Sequence, residues 1–376
     1  MRISNIFLTV KVIDKVITVK GKKKLNKRLQ ITLDDIAKQL NVSKVTVSKA
    51  LRGHPDISKE TTQLVKKVAQ ELGYTPNYMA RNLSSKRSNT IGVVVPKIAH
   101  FFFSSVIESI YDTAFHNNYE IILTVSQESA AREIKHIESL LAMRVDGLIV
   151  SITQETRDHA IFERVIKSGV PLIFMDRVLD IPGTSTVAVN DRKGTFLAIE
   201  HAIKLGYTKI AHLAGYPEIN IGLNRYLGFE DAMKQYGLPI NKDWIINGGF
   251  GEEFGYSGFM KLYKGNNLPE FIFTVTYPVA LGVYAAIEEL GLKIPGDIDI
   301  MCFGNSDINR FISPSLSCVN QPTDKLGKVS VELIIDQIKN IESFEPQHIV
   351  VPTELILRQT CSKKRFDSYP NASSGA

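Results

Sequence analysis

From residue 89 onward the sequence alternates short, β-rich apolar runs with amphipathic helical stretches, and no other feature constrains the fold as tightly. "TIGVVVP", "YEIILTVS", "VDGLIVS", "VPLIFMD", "STVAVN", "KIAHLAG", "EFIFTV" and "IDIMCFG" read as strands. Their near-continuous apolar character suits strands buried on both faces. Between them, stretches such as "VIESIYDTAFHNN" and "EIKHIESLLAMR" place apolar residues at helical spacing. Strands alternating with helices imply parallel sheets covered on both sides. Eight such strands suit two doubly wound lobes, which bind ligands outside the carboxyl ends of their strands.

The first quarter differs in kind. Residues 1–89 hold 19 Lys+Arg against 6 Asp+Glu, and residues 90–376 hold 26 against 33, so a net charge of +6 conceals a basic front on an acidic body. That split reads as nucleic-acid binding by one end only. The plainer alternative is a solvated lysine run, since Lys20, Lys22, Lys23, Lys24, Lys27 and Arg28 crowd one tail. Residues 1–30 are expected to be a basic, poorly ordered extension. Lys11, Asp14 and Lys15 interrupt its apolar run and no small-residue cleavage site follows, which argues against a secretory signal.

Next, "TLDDIAKQL" opens a helix: Thr32 is a good N-cap, Asp34 and Asp35 favour the helix dipole, and Leu33, Ile36, Ala37 and Leu40 make one apolar face. Asn41 suits the left-handed residue that ends a helix. Ser43 caps the next helix, Lys44 to about Leu51, and a third runs from Ser58 to Gly73. Two helices joined by so short a turn form a helix-turn-helix. Val42, Val47 and Leu51 can face the first helix, which leaves Lys44, Val45, Ser48 and Lys49 pointing outward. A helix in the major groove needs donors for guanine edges, hydroxyls for phosphates and an apolar atom for thymine methyls. Lys44, Ser48 and Val45 supply that set, while Ser43 and Thr46 can hold phosphates at the helix N-terminus. The same spacing also fits a small three-helix packing unit with solvated lysines.

Other classes fit less well. No run of about 18 apolar residues suggests a membrane span. Cys302, Cys318 and Cys361 lack metal-ligand spacing and suit a reducing cytoplasm. No metal, cofactor or catalytic role is expected: "GxxxxGK[ST]", "GxSxG" and "HExxH" do not occur, "GGFGEEFG" has the wrong spacing for a dinucleotide fingerprint, and eight histidines are scattered. A sugar-binding transport or receptor protein would fit the body alone but leaves the basic front unexplained.

From about Ile31 to Arg358 the chain resembles the LacI/GalR family of bacterial transcription repressors. The most specific segments are "TLDDIAKQLNVSKVTVSKALRG" and "ISKETTQLVKKVAQELGYTPNYMARNLSSKRSNTIGVVVP". Lys49 stands where the family usually has arginine. The resemblance implies a multidomain chain: a small all-α helix-turn-helix domain with a hinge helix, then an α/β body of two Rossmann-like lobes resembling periplasmic binding proteins. The implied divisions are 1–30 extension, 31–76 DNA-binding domain, 77–89 hinge and linker, 90–360 effector and dimerisation domain, and 361–376 tail. Lobe one would hold about 90–185 and 320–345, and lobe two about 186–319 and 346–360. Residues from Asn77 to about Ser84 would form a hinge helix that folds on DNA and pairs with its twin. Ala80 and Arg81 fit the hinge pattern, and Leu83 matches the leucine wedged between base steps in the minor groove. The implied partners are a near-palindromic double-stranded operator, a second copy of the chain, and a small effector, expected to be a carbohydrate. The tail "CSKKRFDSYPNASSGA" shows no heptads, which favours a dimer over a tetramer.

The resemblance also implies a pocket. Phe102 would stack on a ligand ring, Asp176 in "FMDR" would hold ligand hydroxyls, Arg225 in "NRYLGF" matches the family's ligand arginine, and Phe250 in "NGGFGEE" aligns with an aromatic wall. Charged groups with a flat apolar face suit a hydroxyl-rich ligand. Two segments depart from the family. "TVTYPVALG" offers Thr276 and Tyr277 where an Asn-Asp pair is common. "CFGN" lacks the usual aspartate, for which Asn305 can partly substitute.

Overall fold

Strand β1 (Thr90–Val95) is buried along nearly its whole length, and alternate side chains serve two different cores. Ile91, Val93 and Val95 belong to one, and Val94 to the other. This division by period two is what a parallel strand covered on both faces requires. The computed structural model describes residues 31–75, 87–99, 101–265 and 268–361, in two compact units divided between residues 86 and 87. The expected hinge residues Asn77, Ala80, Arg81 and Leu83, the extension 1–30 and all of the tail beyond Cys361 lie outside the described residues.

The first unit has three helices, α1 (Leu33–Leu40), α2 (Lys44–Leu51) and α3 (Lys59–Glu71). A capping box fixes the start of α1, with Asp35 accepting from both the Thr32 backbone and its hydroxyl at 2.8 and 2.7 Å. Asn41 ends α1 at φ 53°, in the left-handed region asparagine tolerates. Ser43 caps α2 and Ser58 caps α3, each accepting a backbone N–H three residues on. Ile36 and Ala37 of α1, Val47 and Ala50 of α2, and Val65, Val68 and Ala69 of α3 close into one small core. That packing holds α2 helical despite its β-branched residues.

Twelve strands and eight helices follow among the described residues. The first sheet uses β1, β2 (Glu120–Val125), β3 (Gly147–Val150), β4 (Leu172–Met175), β5 (Ser185–Val189) and β11 (His348–Val351), in the order β11-β5-β4-β3-β1-β2 and parallel throughout. The second uses β6 (Ile210–Ala214), β7 (Ile245–Asn247), β8 (Phe271–Thr274), β9 (Asp299–Phe303), β10 (Ser317–Asn320) and β12 (Glu354–Ile356), in the order β12-β10-β9-β8-β6-β7. Only β12 runs antiparallel to its neighbour there. Both sheets share one doubly wound plan, with the strand order reversing beside β1 and beside β6.

The helices of the first lobe are α4 (Phe101–His116), α5 (Ala130–Ala142), α6 (Ala160–Lys167) and, returning late in the chain, α11 (Thr323–Lys339). The second lobe has α7 (Asp191–Lys204), α8 (Asn220–Gln235), α9 (Glu252–Lys264) and α10 (Tyr277–Glu289). None of the described helices is long and apolar enough to cross a membrane.

The expected lobe boundaries need correction. Residues 186–189 and 348–351 belong to the first sheet, because β5 and β11 pair in register from Thr186 and His348 to Val189 and Val351. The crossings therefore fall near residues 190, 321 and 352. Strands β7, β10, β11 and β12, with three or four residues each, were not among the eight read from the sequence.

Candidate functional site

Helix α2 presents the residues picked for DNA. Val45 is 63% exposed, while Val47 and Ala50 are fully buried beneath it. Lys44 reaches back to Asp34 of α1 at 2.8 Å, and Lys49 reaches Asp56 at 2.8 Å, with His54 beside that carboxylate. Exposed pairs of this kind contribute little, about 0–1 kcal/mol, so a phosphate or guanine edge can strip them. The Ser43 hydroxyl is spent on its cap and on the Thr46 hydroxyl 2.8 Å away. Ser48 accepts from the Arg52 guanidinium at 3.1 Å, through both its hydroxyl and its carbonyl. Sequence reading missed Arg52, Asp34 and Asp56, whose partners are set by the angle between elements rather than by spacing.

The six expected effector residues gather in one chamber at the carboxyl ends of the two sheets. Phe102, Asp176, Arg225, Phe250, Thr276 and Asn305 all line it. Asp176 follows β4 at φ 63°, a strained region that aspartate tolerates better than most residues. Its turn is held from the other lobe: the Asn220 amide donates to the Asp176 carbonyl and accepts from the Val178 N–H, both at 3.0 Å. The Asp176 carboxyl makes no hydrogen bond to the described residues. Burial pushes it up to about 7, against the pull of Arg225 and Arg177.

Arg225 on α8 is 2% exposed. Its Nε donates to Asp191 at 2.7 Å, its Nη1 donates to the Val275 carbonyl, and its guanidinium carbon lies 3.7 Å from the centroid of the Phe303 ring. Nη2 is left without a partner among the described residues. Burial raises the Asp191 carboxyl, with the Arg225 charge opposing it. Phe250 fits its wall only because residue 215 is glycine: a Cβ there would lie 2.0 Å from the phenyl ring.

Two expected residues are more committed than their positions suggested. The Thr276 hydroxyl caps α10 and donates to the Phe250 carbonyl at 2.9 Å. The Asn305 carbonyl oxygen accepts from Arg358 at 3.0 Å and from the Cys318 thiol at 3.4 Å. The sequence reading missed Arg177, Phe303 and Gln321 in this wall. Arg177 and Phe303 stand inside the quoted "FMDR" and "CFGN", so adjacency was the available signal. Gln321 follows the short β10 and gave none.

Comparison with known proteins agrees with this architecture. Residues 32–77 match the family model described as "Bacterial regulatory proteins, lacI family", and residues 199–361 match "Periplasmic binding protein-like domain". The HTH-type transcriptional repressor PurR of Pasteurella multocida is 32% identical over 333 residues, which cover 89% of this chain and 99% of that protein. A LacI family transcriptional regulator from Enterococcus faecium, solved with bound ribose, is 30% identical with a TM-score of 0.64, covering 73% of this chain and 100% of that one. The Lac repressor dimer bound to operator and the anti-inducer ONPF shares the fold, with a TM-score of 0.78 at 24% identity over 88% of this chain and 99% of that one. A DNA-binding helical head and a two-lobed body with a lined cleft, matched over almost the full length of a curated repressor, make this chain a member of the lacI family of bacterial transcription regulators.

Proposed function

We propose that this regulator represses transcription as a homodimer on a near-palindromic operator, with a small carbohydrate in the cleft setting its grip on DNA. The observation that carries the effector half is the chamber itself. One buried carboxyl, two buried guanidiniums and five phenylalanines line a common space built from both lobes. Hydroxyls suit the polar groups and the C–H face of a sugar suits the rings. The PurR relative is named as a repressor and the Enterococcus regulator holds ribose, which favours the same reading.

The cleft and the head would communicate as a two-state system. A ligand that binds one lobe arrangement better than the other shifts the population by its difference in affinity and by no more. In this reading Lys44, Val45 and Lys49 face bases, Ser43, Thr46 and Ser48 sit against phosphates, and Asn77, Ala80, Arg81 and Leu83 form the hinge at the operator centre. The protein acts in the cytoplasm by binding alone, so sugars incubated with it should be recovered unchanged.

Fluorescence anisotropy with promoter fragments and random DNA, at fixed salt, tests this. Operator affinity should change when an effector is added. Leu83→Ala should weaken operator binding by at least tenfold more than random-DNA binding. Equal losses on both would remove the wedge, and failure to bind any fragment of its own promoter region would remove the repressor reading.

A further inference from the structure

The chamber at Asp176 and Arg225 is small, with a volume of about 70 Å³. That is room for about two waters, whereas ligand pockets run from about 300 to 1,000 Å³. Beside it lies an outer cleft of about 670 Å³, also at the carboxyl ends of the strands. Phe103, Arg177 and Phe250 line both spaces. The partition is the Arg177 guanidinium, 4.8 Å from the centroid of the Phe250 ring. Arg177 is 5% exposed and its Nη1 donates to Glu128 at 2.9 Å, yet its Nε is buried with no hydrogen-bond partner among the described residues. A buried donor left unpaired is costly, so a ligand acceptor at this junction would be rewarded.

Charge narrows the ligand. The outer cleft has Lys97 and Arg177 against Glu128, Glu252 and Glu253, and Arg177 is already held by Glu128. In the inner chamber Arg225 is already held by Asp191, and Asp176 adds a further carboxyl. With both arginines already paired, neither space keeps a surplus positive charge to hold a phosphate or carboxylate. Carboxylates accept from hydroxyls, and Tyr216 and Phe254 in the outer wall offer flat faces.

Building on the carbohydrate reading of the cleft, we propose that the effector is a neutral glycoside of at least two rings. Hydroxyls at the edge of one ring reach past the Arg177–Phe250 partition to Asp176 and Arg225, and the rings themselves lie in the outer cleft, one of them against Tyr216 and Phe254. Among the described residues, a ligand that touches Asp176 and Arg225 finds the volume it needs in the outer cleft beyond that partition.

Calorimetry on the full chain tests this with D-glucose, D-galactose, D-fructose and D-ribose, with maltose, cellobiose, lactose, sucrose and trehalose, and with glucose 6-phosphate. At least one disaccharide should bind tenfold or more tighter than either of its monosaccharides, and glucose 6-phosphate no tighter than glucose. Ser257 is exposed on the outer wall, so Ser257→Trp should fold and fill that space. It and Tyr216→Ala should each weaken the disaccharide at least tenfold. The proposal is overturned if a monosaccharide binds as tightly as every disaccharide, if the phosphate binds best, or if both variants bind the disaccharide normally. Binding of monosaccharides alone leaves the carbohydrate reading standing. Silence from the whole panel removes that reading and this one with it.

Discussion

Asp176 carries a cost that depends on pH. Its carboxyl sits at about 7 in the folded chain and has an ordinary value of 3.8. Between those values the unfolded chain releases the proton and the folded chain keeps it, so stability falls as pH rises through the window and levels off above it. Asp176→Asn keeps a residue type that tolerates positive φ and removes the charge. Urea unfolding should show the variant more stable than the parent at pH 8, by at most about 4 kcal/mol, with the gain gone at pH 4. A gain of equal size at both pH values would show that ionisation is not its source. Arg225 poses the opposite case. Arg225→Ala leaves Asp191 buried and uncompensated and should cost about 3–5 kcal/mol, while adding Asp191→Asn should recover part of the loss. No recovery in the double variant would mean that the stacking on Phe303 matters more than the charge. Sequence patterns made Asp176 and Arg225 visible as positions. They could not reveal that Asp191, at the start of α7, already answers the arginine, because that pairing depends on how α7 and α8 pack.

At the scale of elements, the three helices of the first unit were legible because capping is local. Thr32, Asn41, Ser43, Ser58 and Gly73 each sit where their conformational preference puts a helix end. The four short strands were not, since their pairing is decided by the sheet they join. Helix α2 also holds a competition that spacing did not disclose. Its two lysines are already paired with carboxylates of their own domain. Lys44→Ala should weaken operator binding and, if Lys44 contacts a phosphate, lower the salt slope of random-DNA binding by about one. Asp34→Ala frees the same lysine and should tighten binding at low salt. Anisotropy titrations across a salt series measure both, and an unchanged slope in Lys44→Ala assigns that lysine to a base edge or to no contact at all.

Over the whole molecule, the alternation of strand and helix was enough to give two doubly wound lobes, because that topology follows from burying both sheet faces. The exact crossings were not legible: "STVAVN" reads as a strand without saying which sheet it joins, and β11 is a short edge strand of the first sheet. Nor was Asn220, whose amide belongs to one lobe and whose two hydrogen bonds belong to the other. Asn220→Ala removes both. It should shift the lobes toward an open arrangement, seen as a larger radius of gyration in small-angle scattering without sugar, with at least a tenfold change in effector affinity. Identical scattering and affinity would mean that the amide only braces the turn after β4.

That single amide has a consequence in time as well as in position. Any parting of the lobes must break both of its bonds together, so this side chain sets part of the wait before a metabolite can enter or leave. A cell carrying this protein would then have the promptness of its gene response tuned at Asn220, separately from the strength of that response, which the chamber walls decide.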